Sequence, residues 1–398
     1  MRYCVIVPDG AADYPMARLD GKTPLEAART PNMDRAAAEG LVGVTDHVPP
    51  RMAPGSEVAM MSVAGYDPAE CYTGRGPLEA ADLGIDLGPR AWAVRCNFVT
   101  ADDDTLVDFT AGHISTEEAG LLIQALNERL ANDALNFHVG TSYRHVMVYR
   151  GELALTAETV APHDIVGLPT RENYPRGEGA DLLVGLMERS RPILEVHDVN
   201  HVRRDLGKNP ANMTWLWGQG TKPALANFQA RFGVTGCVIS AVNLVRGIGR
   251  LIGWEIIKVP GITGYLDTDF AAKGRYAVDA LTKFGLVMVH VEAPDEASHD
   301  RDVAAKVRAL ERIDREIVGP VMACADAEGD VKVLIVPDHI TSVQDGKHKR
   351  GAVPFAMWGA GIEAASGCCY SEAEAAASEV EIARGWELMS EFIGKGSP

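Results

Sequence analysis

Three acidic residues follow apolar runs that are typical of buried strands. Asp9 comes directly after "YCVIVP", Asp295 after "VMVHVEAP" and Asp338 after "VLIVP". In open α/β sheets the ligand crevice lies outside the carboxyl ends of the strands, so parallel strands would bring these carboxylates to one edge. Three carboxylates at one edge repel one another unless cations lie between them. A single acid of this kind is usually a turn former or a helix N-cap, but the three together favour a cation site.

Histidines accompany two of these acids. His299 lies four residues after Asp295 where a helix begins, so both side chains can share one helix face. His339 is adjacent to Asp338, and His348 follows in a short polar loop. Mixed oxygen and nitrogen donors suit Zn²⁺ or Mn²⁺ better than Ca²⁺ or Mg²⁺, which prefer oxygen ligands.

Other histidines are left out of this predicted metal site. His290 lies inside the apolar strand "VMVHVE", which favours a hydrogen-bonded core histidine. Three further pairs of neighbouring acid and histidine lack clear placement at a strand end: Asp46 with His47, His163 with Asp164, and His197 with Asp198.

Ser56 is the candidate nucleophile. It follows Pro54 and Gly55 at the start of the helix-like "EVAMMSVAG", where a helix N-terminus favours an anion. The alternative is an ordinary serine N-cap. A hydrolase elbow needs glycine two residues either side of the serine, a Walker A loop ending at "GKT" lacks its first glycine, and "RGIGRLIG" fits a dinucleotide fingerprint only loosely. A triad hydrolase, a P-loop kinase and a Rossmann dehydrogenase are therefore disfavoured.

Strand-like and helix-like segments alternate along much of the chain. Strand-like runs include "RYCVIVPD", "AWAVRCNFVT", "GLVMVHVEAPD", "VKVLIVPD" and "VPFAMWG". Helical periodicity marks "TPLEAARTPNMDRAAAEG", "KGRYAVDALTKF" and "EIARGWELMSEFI". The alternation predicts an α/β fold with a largely parallel central sheet and helices on both faces.

One stretch departs from this pattern and predicts a smaller inserted α+β domain at 112–205. It contains a helix, the strand "YRHVMVYRG", a loop rich in proline and glycine, a second helix and the strand-like "ILEVHDV". The flanking segments 1–111 and 206–398 would then form the two parts of the metal-binding core. A chain of 398 residues is long enough for two domains.

Composition limits the partners and the compartment. The net charge of −17 argues against nucleic acid, which rewards a basic face. No apolar stretch approaches a bilayer span and no signal peptide leads the chain, so we expect a cytoplasmic protein with no membrane contact. Seven scattered cysteines, with Cys368 next to Cys369, predict reduced thiols. The sequence leaves a homo-oligomer open.

Several motifs belong together: "PDG", "PGSEVA", "YTGRGPLEAA", "YRHVMVYRG", "WLWGQG", "VEAPDEASH", "PDH" and the later "H…VPF". Over nearly the whole chain they resemble the archaeal-type cofactor-independent phosphoglycerate mutases of the alkaline phosphatase superfamily. The resemblance implies an alkaline phosphatase-like core with an inserted lid, two divalent ions (Mn²⁺ or Zn²⁺) and no 2,3-bisphosphoglycerate. One ion would be held by Asp295, His299 and His348. The other would be held by Asp9, Asp338, His339 and the Ser56 oxygen.

The resemblance also implies interconversion of 2-phosphoglycerate and 3-phosphoglycerate through a phosphoserine at Ser56. Two cations about 4 Å apart could clamp a phosphoryl group and lower the pKa of the serine hydroxyl. A lid would exclude water while the glycerate reorients. Guanidinium groups bind carboxylate and phosphate bidentately, and His145 is a predicted proton shuttle. The candidate substrate-binding arginines are Arg75, Arg144, Arg203, Arg204 and Arg246.

Two alternatives stay open. A homoserine kinase-like phosphotransferase could use the same machinery. This alternative stays open because the loop "KHKRGAVPF" lacks the Asp-Pro common in relatives and "PDHIT" has isoleucine where proline is usual. A structural or binding protein with a degenerate site is disfavoured because all seven expected ligands are present.

Overall fold

The computed structural model describes residues 1–364 and 369–394. Its strands are β1 (Arg2–Pro8), β2 (Leu41–Thr45), β3 (Trp92–Asp102), β4 (Thr105–Asp108), β5 (Leu135–Thr141), β6 (Arg144–Tyr149), β7 (Met213–Thr221), β8 (Gly236–Ile239), β9 (Glu255–Ile256), β10 (Leu286–Val291), β11 (Val331–Ile335), β12 (Ile340–Ser342), β13 (Lys347–Lys349), β14 (Val353–Gly359) and β15 (Glu381–Ile382). Its α-helices are α1 (Pro24–Ala27), α2 (Pro31–Ala38), α3 (Ser56–Val63), α4 (Pro68–Cys71), α5 (Arg75–Asp82), α6 (Thr116–Leu130), α7 (Ala180–Glu195), α8 (Asp198–Asp205), α9 (Phe228–Phe232), α10 (Asn243–Leu251), α11 (Phe270–Leu281), α12 (Ala293–His299), α13 (Val303–Ile313), α14 (Gly319–Glu328), α15 (Glu372–Ala377) and α16 (Leu388–Ile393).

The first of two compact units comprises Met1–Tyr72 and Leu225–Pro398. It contains an eight-stranded sheet in the order β15-β2-β14-β11-β1-β10-β8-β9. β14 runs antiparallel to β11 and β2, and the other pairings are parallel. The predicted α/β class with a largely parallel sheet is confirmed. β10, β1 and β11 lie side by side with their carboxyl ends at one edge.

Both faces of this sheet are covered by helices. The strand β1 is buried along nearly its whole length, so its apolar run does not alternate with polar residues. On one face Cys4 and Ile6 share a core cluster with Phe270 of α11. On the other face the ring of Tyr3 packs edge-on against Phe392 of α16, with ring centroids 5.5 Å apart.

Two predicted helices are shorter than the sequence pattern indicated. The segment "TPLEAARTPNMDRAAAEG" divides into α1 and α2, because Thr30 precedes Pro31 and is forced out of the helical region. In "EIARGWELMSEFI" the first two residues form β15, which pairs with β2 at the end of the sheet, and α16 covers the last six.

The second compact unit is Thr73–Ala224, which is wider than the predicted insert of 112–205. Its sheet has the order β4-β3-β6-β5, and β7 pairs with β3. The sequence had assigned β3 to the larger core. β3 instead pairs antiparallel with both β6 and β7, so all three strands belong to one sheet.

The predicted strand "ILEVHDV" at 193–199 is wrong. α7 continues past Pro192 to Glu195, and α8 begins at Asp198. The buried residues Leu183, Met187 and Leu194 follow the helical period, which outweighs the local apolar alternation.

The structure bears on the membrane and thiol predictions. Within the described ranges no helix is long and apolar enough to cross a bilayer. The described cysteines are free thiols, and Cys368 lies outside the described residues.

Candidate active site

The strand order brings the three predicted acids to one edge of the first unit's sheet. Asp9 follows β1 directly, Asp338 lies in the loop after β11, and Asp295 lies in the first turn of α12, which follows β10. Each side chain is almost completely buried. The three carboxylates therefore lie at the carboxyl edge that the sequence predicted.

The first ligand group contains Asp295, His299 and His348, whose candidate ligand atoms all lie within 4.8 Å of one another. Asp295 Oδ2 is 3.1 Å from His299 Nε2, as expected for one face of α12. His348 lies on β13, and its Nε2 is 3.4 Å from Asp295 Oδ1. His299 Nδ1 donates to the Gly346 carbonyl at 2.8 Å, because a carbonyl can only accept. In the neutral ring this leaves the Nε2 lone pair for a cation.

The second ligand group contains Asp9, Asp338 and His339. His339 Nε2 lies 3.2 Å from Asp338 Oδ2 and 3.6 Å from Asp9 Oδ1. Asp338 Oδ1 accepts the backbone N–H groups of Gly10 and His339, at 3.0 and 2.9 Å. Among described residues neither Asp9 Oδ1 nor Asp338 Oδ2 has a hydrogen-bond partner. Buried polar atoms normally have a partner, so these two carboxylate oxygens are suited to binding a cation.

Ser56 joins the second group. Its Oγ is 3.2 Å from His339 Nε2. Ser56 is the first residue of α3, and the N-cap position belongs to Gly55, which makes no side-chain cap. The alternative reading of Ser56 as an ordinary N-cap therefore fails, and its hydroxyl lies with the candidate ligands.

His290 fixes the orientation of Asp9. It is fully buried, and its Nε2 lies 2.7 Å from Asp9 Oδ2 while its Nδ1 lies 3.1 Å from Ser240 Oγ. The predicted hydrogen-bonded core histidine is confirmed. Glu292, which was not predicted, also approaches His290 Nε2, at 3.6 Å. The hydrogen bond turns Asp9 Oδ1 toward His339.

The electrostatics of the two groups fit divalent cations. Burial raises the pKa of Asp9 well above its usual range, and the charge of Asp338 adds to this. Burial also raises the pKa of Glu292 to about 8. Burial opposes ionisation of Asp295 as well, but hydrogen bonds from His299 and His348 hold its pKa well below the ordinary value. The crowded carboxylates and nitrogen donors suit Zn²⁺ or Mn²⁺. Metal binding by these residues stays a prediction.

Arg75 and Arg144 lie in the second unit, and the charges of both act on a buried arginine, Arg95. The guanidinium of Arg75 lies 5.8 Å from the Trp217 ring. Arg95, which was not predicted, lies 4.6 Å from the same ring, and its Nε is 3.3 Å from Glu79 Oε1. Burial, together with the charges of Arg75 and Arg144, lowers the pKa of Arg95 to about 10. A charged residue inside the apolar "AWAVRCNFVT" was the signal that could have identified it.

The other predicted arginines lie elsewhere. Arg203 is buried, and its guanidinium donates to Glu118 at 2.8 Å and to the Ala111 carbonyl at 2.6 Å. Arg204 forms an ion pair with Glu195 at 2.5 Å. Both guanidinium groups are thus paired with groups of the second unit itself, which argues against their predicted substrate-binding role.

Arg246 and His145 complete the predicted set. Arg246 lies on α10 of the first unit, where Nη1 donates to the Ala241 carbonyl at 2.9 Å. His145 is fully buried, accepts the Gly140 N–H at 3.1 Å and packs against Phe98. Burial lowers the pKa of His145 to about 3. A neutral, enclosed imidazole does not suit the predicted proton shuttle.

Known proteins similar to this chain share one description. The family profile described as 2,3-bisphosphoglycerate-independent phosphoglycerate mutase matches residues 37–200. A protein of that name from Methanothrix thermoacetophila is 44% identical over 394 residues, covering 99% of this chain and 100% of the relative. A second, from Methanothermobacter thermautotrophicus, is 47% identical and covers 94% and 92%. The structure of a cofactor-independent phosphoglycerate mutase from Thermoplasma acidophilum gives a TM-score of 0.67 at 26% identity, covering 99% of each chain.

Proposed function

Because the chain belongs to the 2,3-bisphosphoglycerate-independent phosphoglycerate mutases, we propose that it interconverts 2-phosphoglycerate and 3-phosphoglycerate without a bisphosphoglycerate cofactor. The observation that carries this proposal is the position of Ser56. Its hydroxyl lies 3.2 Å from His339 within one of two adjoining groups of buried ligands. A nucleophile in that position suits phosphoryl transfer.

The proposed reaction has two transfers. The Ser56 oxygen bonds to phosphorus as the bond from phosphorus to the substrate oxygen breaks, and the serine proton ends on the glycerate. The other glycerate hydroxyl then attacks the phosphorus of the phosphoserine, the bond from phosphorus to the Ser56 oxygen breaks, and the proton of the attacking hydroxyl passes to Ser56. Water must be excluded throughout, since its attack on the phosphoserine would release inorganic phosphate.

Two divalent ions would be held by the residues of the two ligand groups. Asp295, His299 and His348 would hold one, and Asp9, Asp338, His339 and Ser56 the other. Such ions supply positive charge to phosphoryl oxygens and favour the ionised serine. The donor set supports Mn²⁺ or Zn²⁺.

The second unit supplies candidates for binding the substrate's anionic groups. Arg75 and Arg95 place two guanidinium groups near Trp217, and the charge of Arg144 acts on Arg95, with Glu79 as a nearby counter-charge. Guanidinium groups match carboxylate and phosphate geometry. We propose this cluster as the binding site for a small phosphorylated hydroxy acid, and the second unit as the lid. A cytoplasmic location and a homo-oligomer stay predictions.

The test compares two serines of the same helix. Metal-stripped protein is reloaded with Mn²⁺ and assayed for conversion of 3-phosphoglycerate to 2-phosphoglycerate. Ser56→Ala should lower kcat by at least about 1,000-fold. Ser62→Ala, which removes another buried α3 hydroxyl, should retain activity. Mass spectrometry of rapidly quenched wild type should find one phosphoryl group on Ser56.

Two results would contradict the proposal. Turnover of 3-phosphoglycerate unaffected by Ser56→Ala would exclude the phosphoserine route. Phosphorylation of homoserine by ATP, with no turnover of 3-phosphoglycerate, would establish the kinase-like alternative, which the names of the relatives do not favour.

A further inference from the structure

The buried hydroxyl of Thr341 lies between the two ligand groups. Thr341 is on β12 and is fully buried. Its Oγ1 donates to Asp295 Oδ1 of the first group at 2.6 Å. The same oxygen lies 3.1 Å from Nδ1 of His339, which belongs to the second group.

The single hydroxyl proton decides the direction of both hydrogen bonds. A carboxylate oxygen accepts only, so the Thr341 proton is directed to Asp295. Toward His339 the hydroxyl oxygen must then accept, which places a proton on His339 Nδ1. The lone pair of the neutral ring is therefore on Nε2, the atom that lies 3.2 Å from both Ser56 Oγ and Asp338 Oδ2. The hydroxyl orients a ligand in each group.

The backbone of Thr341 is held as firmly as its side chain. Its N–H donates to the Ala12 carbonyl at 3.2 Å, and its carbonyl accepts Lys306 Nζ at 2.7 Å. Lys306 is itself buried and paired with Asp13 Oδ2 at 2.9 Å. Asp13 Oδ2 also accepts the Val343 N–H, at 3.0 Å. The position of the hydroxyl is thus fixed from outside the ligand groups.

His348 is tied to the same strand pair. β12 and β13 are antiparallel, and Thr341 is the direct partner of His348 in their register. The rings of His339 and His348 lie 4.3 Å apart between centroids. A displacement of Thr341 would therefore reach ligands of both groups through the backbone as well as through its hydroxyl.

We propose that Thr341 is a positioning residue that couples the two ligand groups, so that loss of its hydroxyl weakens both metal sites together. The inference rests on the proposed function for its two-ion site. Hydrogen-bond partners of metal ligands typically change metal affinity by about 10–100-fold when removed. A residue that served only one group would change one affinity.

The experiment titrates Mn²⁺ alone into metal-stripped protein by calorimetry. Thr341→Val keeps the shape and removes the hydroxyl, and it should lower the affinity of both sites by about 10–100-fold. Thr341→Ser restores the hydroxyl and should bind within a few-fold of wild type. Thr214→Val, which removes a buried hydroxyl in the second unit, should bind as wild type does. Urea unfolding of each metal-free variant identifies any loss of folding. Should Thr341→Val not fold, Thr341→Ala takes its place.

Each outcome decides the inference. Equal loss at both sites with rescue by serine supports it. Wild-type affinity at either site in the valine or alanine variant overturns it, and so does a serine variant that binds as weakly as valine. Turnover of 3-phosphoglycerate by wild type is measured separately. If wild type turns over 3-phosphoglycerate and the valine variant binds Mn²⁺ normally, the coupling is refuted and the proposed function stands. If wild type binds two ions without turnover and the valine variant loses affinity at both sites, the proposed function is refuted and the coupling stands.

Discussion

Gly10 occupies the tightest position next to the ligand groups, and its replacement by alanine tests how closely the site is packed. Its backbone has φ +60°, where a side chain is strained. A Cβ at this position would lie 2.5 Å from Thr341 Oγ1 and 2.6 Å from Asp295 Oδ1. Both neighbours are buried and hydrogen-bonded to each other, so neither can move away without cost.

Two contributions set the expected loss of stability in Gly10→Ala. Alanine in the left-handed region costs about 1–2 kcal/mol. Forcing an extra carbon into a packed interior costs about 1–3 kcal/mol more. We therefore expect the free energy of unfolding to fall by about 2–5 kcal/mol in total. Because the clash displaces Asp295 and Thr341, Mn²⁺ affinity should also fall by at least about 10-fold.

Gly329→Ala is the matched control in the same unit. Gly329 ends α14 with φ +71°, and apart from adjacent residues of the chain no described atom lies within 4 Å of a Cβ placed there. This variant should lose about 1–2 kcal/mol from backbone strain and bind Mn²⁺ as wild type does. Urea unfolding measures the first quantity and calorimetry the second. A Gly10→Ala protein with the stability and metal affinity of Gly329→Ala would refute the crowding argument.

Two further predictions concern protonation and the second unit. The hydrogen bond to Asp295 raises the pKa of His299 to about 9, so the metal-free ring is protonated at neutral pH and Mn²⁺ must displace that proton. Affinity should rise with pH up to about 9 and level off above it, and calorimetry in two buffers of different ionisation enthalpy should show proton release. Equal heats in both buffers would contradict this. In the second unit, Arg203→Leu should lower the free energy of unfolding by about 2–4 kcal/mol, because it leaves Glu118 and buried carbonyls without their donor. Arg204→Leu, which breaks an exposed pair, should change it by no more than about 1 kcal/mol, and equal urea midpoints for the two variants would count against the assignment of Arg203 as structural.

The ligand groups were predictable because they follow from strand direction. In a parallel sheet the residues that follow the strands lie at the same carboxyl edge, whatever segments separate the strands in sequence. Asp9, Asp295 and Asp338 obey this rule, and the helical spacing of Asp295 and His299 supplies the first nitrogen. The position of His348 depends instead on the pairing of β12 with β13, which a polar loop sequence does not reveal.

The roles of the arginines could not be predicted from the local sequence. Arg75 and Arg203 have the same chemistry, and neither neighbouring sequence indicates which one is committed to backbone carbonyls. The boundary of the second unit was not predicted correctly for a related reason. An apolar run such as β3 fits either of two sheets, and only its long-range partners β6 and β7 decide between them.

The electrostatics of the first unit connect the metal prediction to the chain's net charge of −17. Without cations, the crowded carboxylates are relieved by protons, since the pKa of Asp9 and that of His299 are both raised. Two divalent ions would replace those protons and let the acids ionise together. They would also present positive charge to a phosphorylated anion, which the acidic chain as a whole would otherwise repel. Metal removal should therefore weaken binding of 3-phosphoglycerate as well as turnover, because the protons that take the place of the two ions supply less positive charge to the substrate's phosphate.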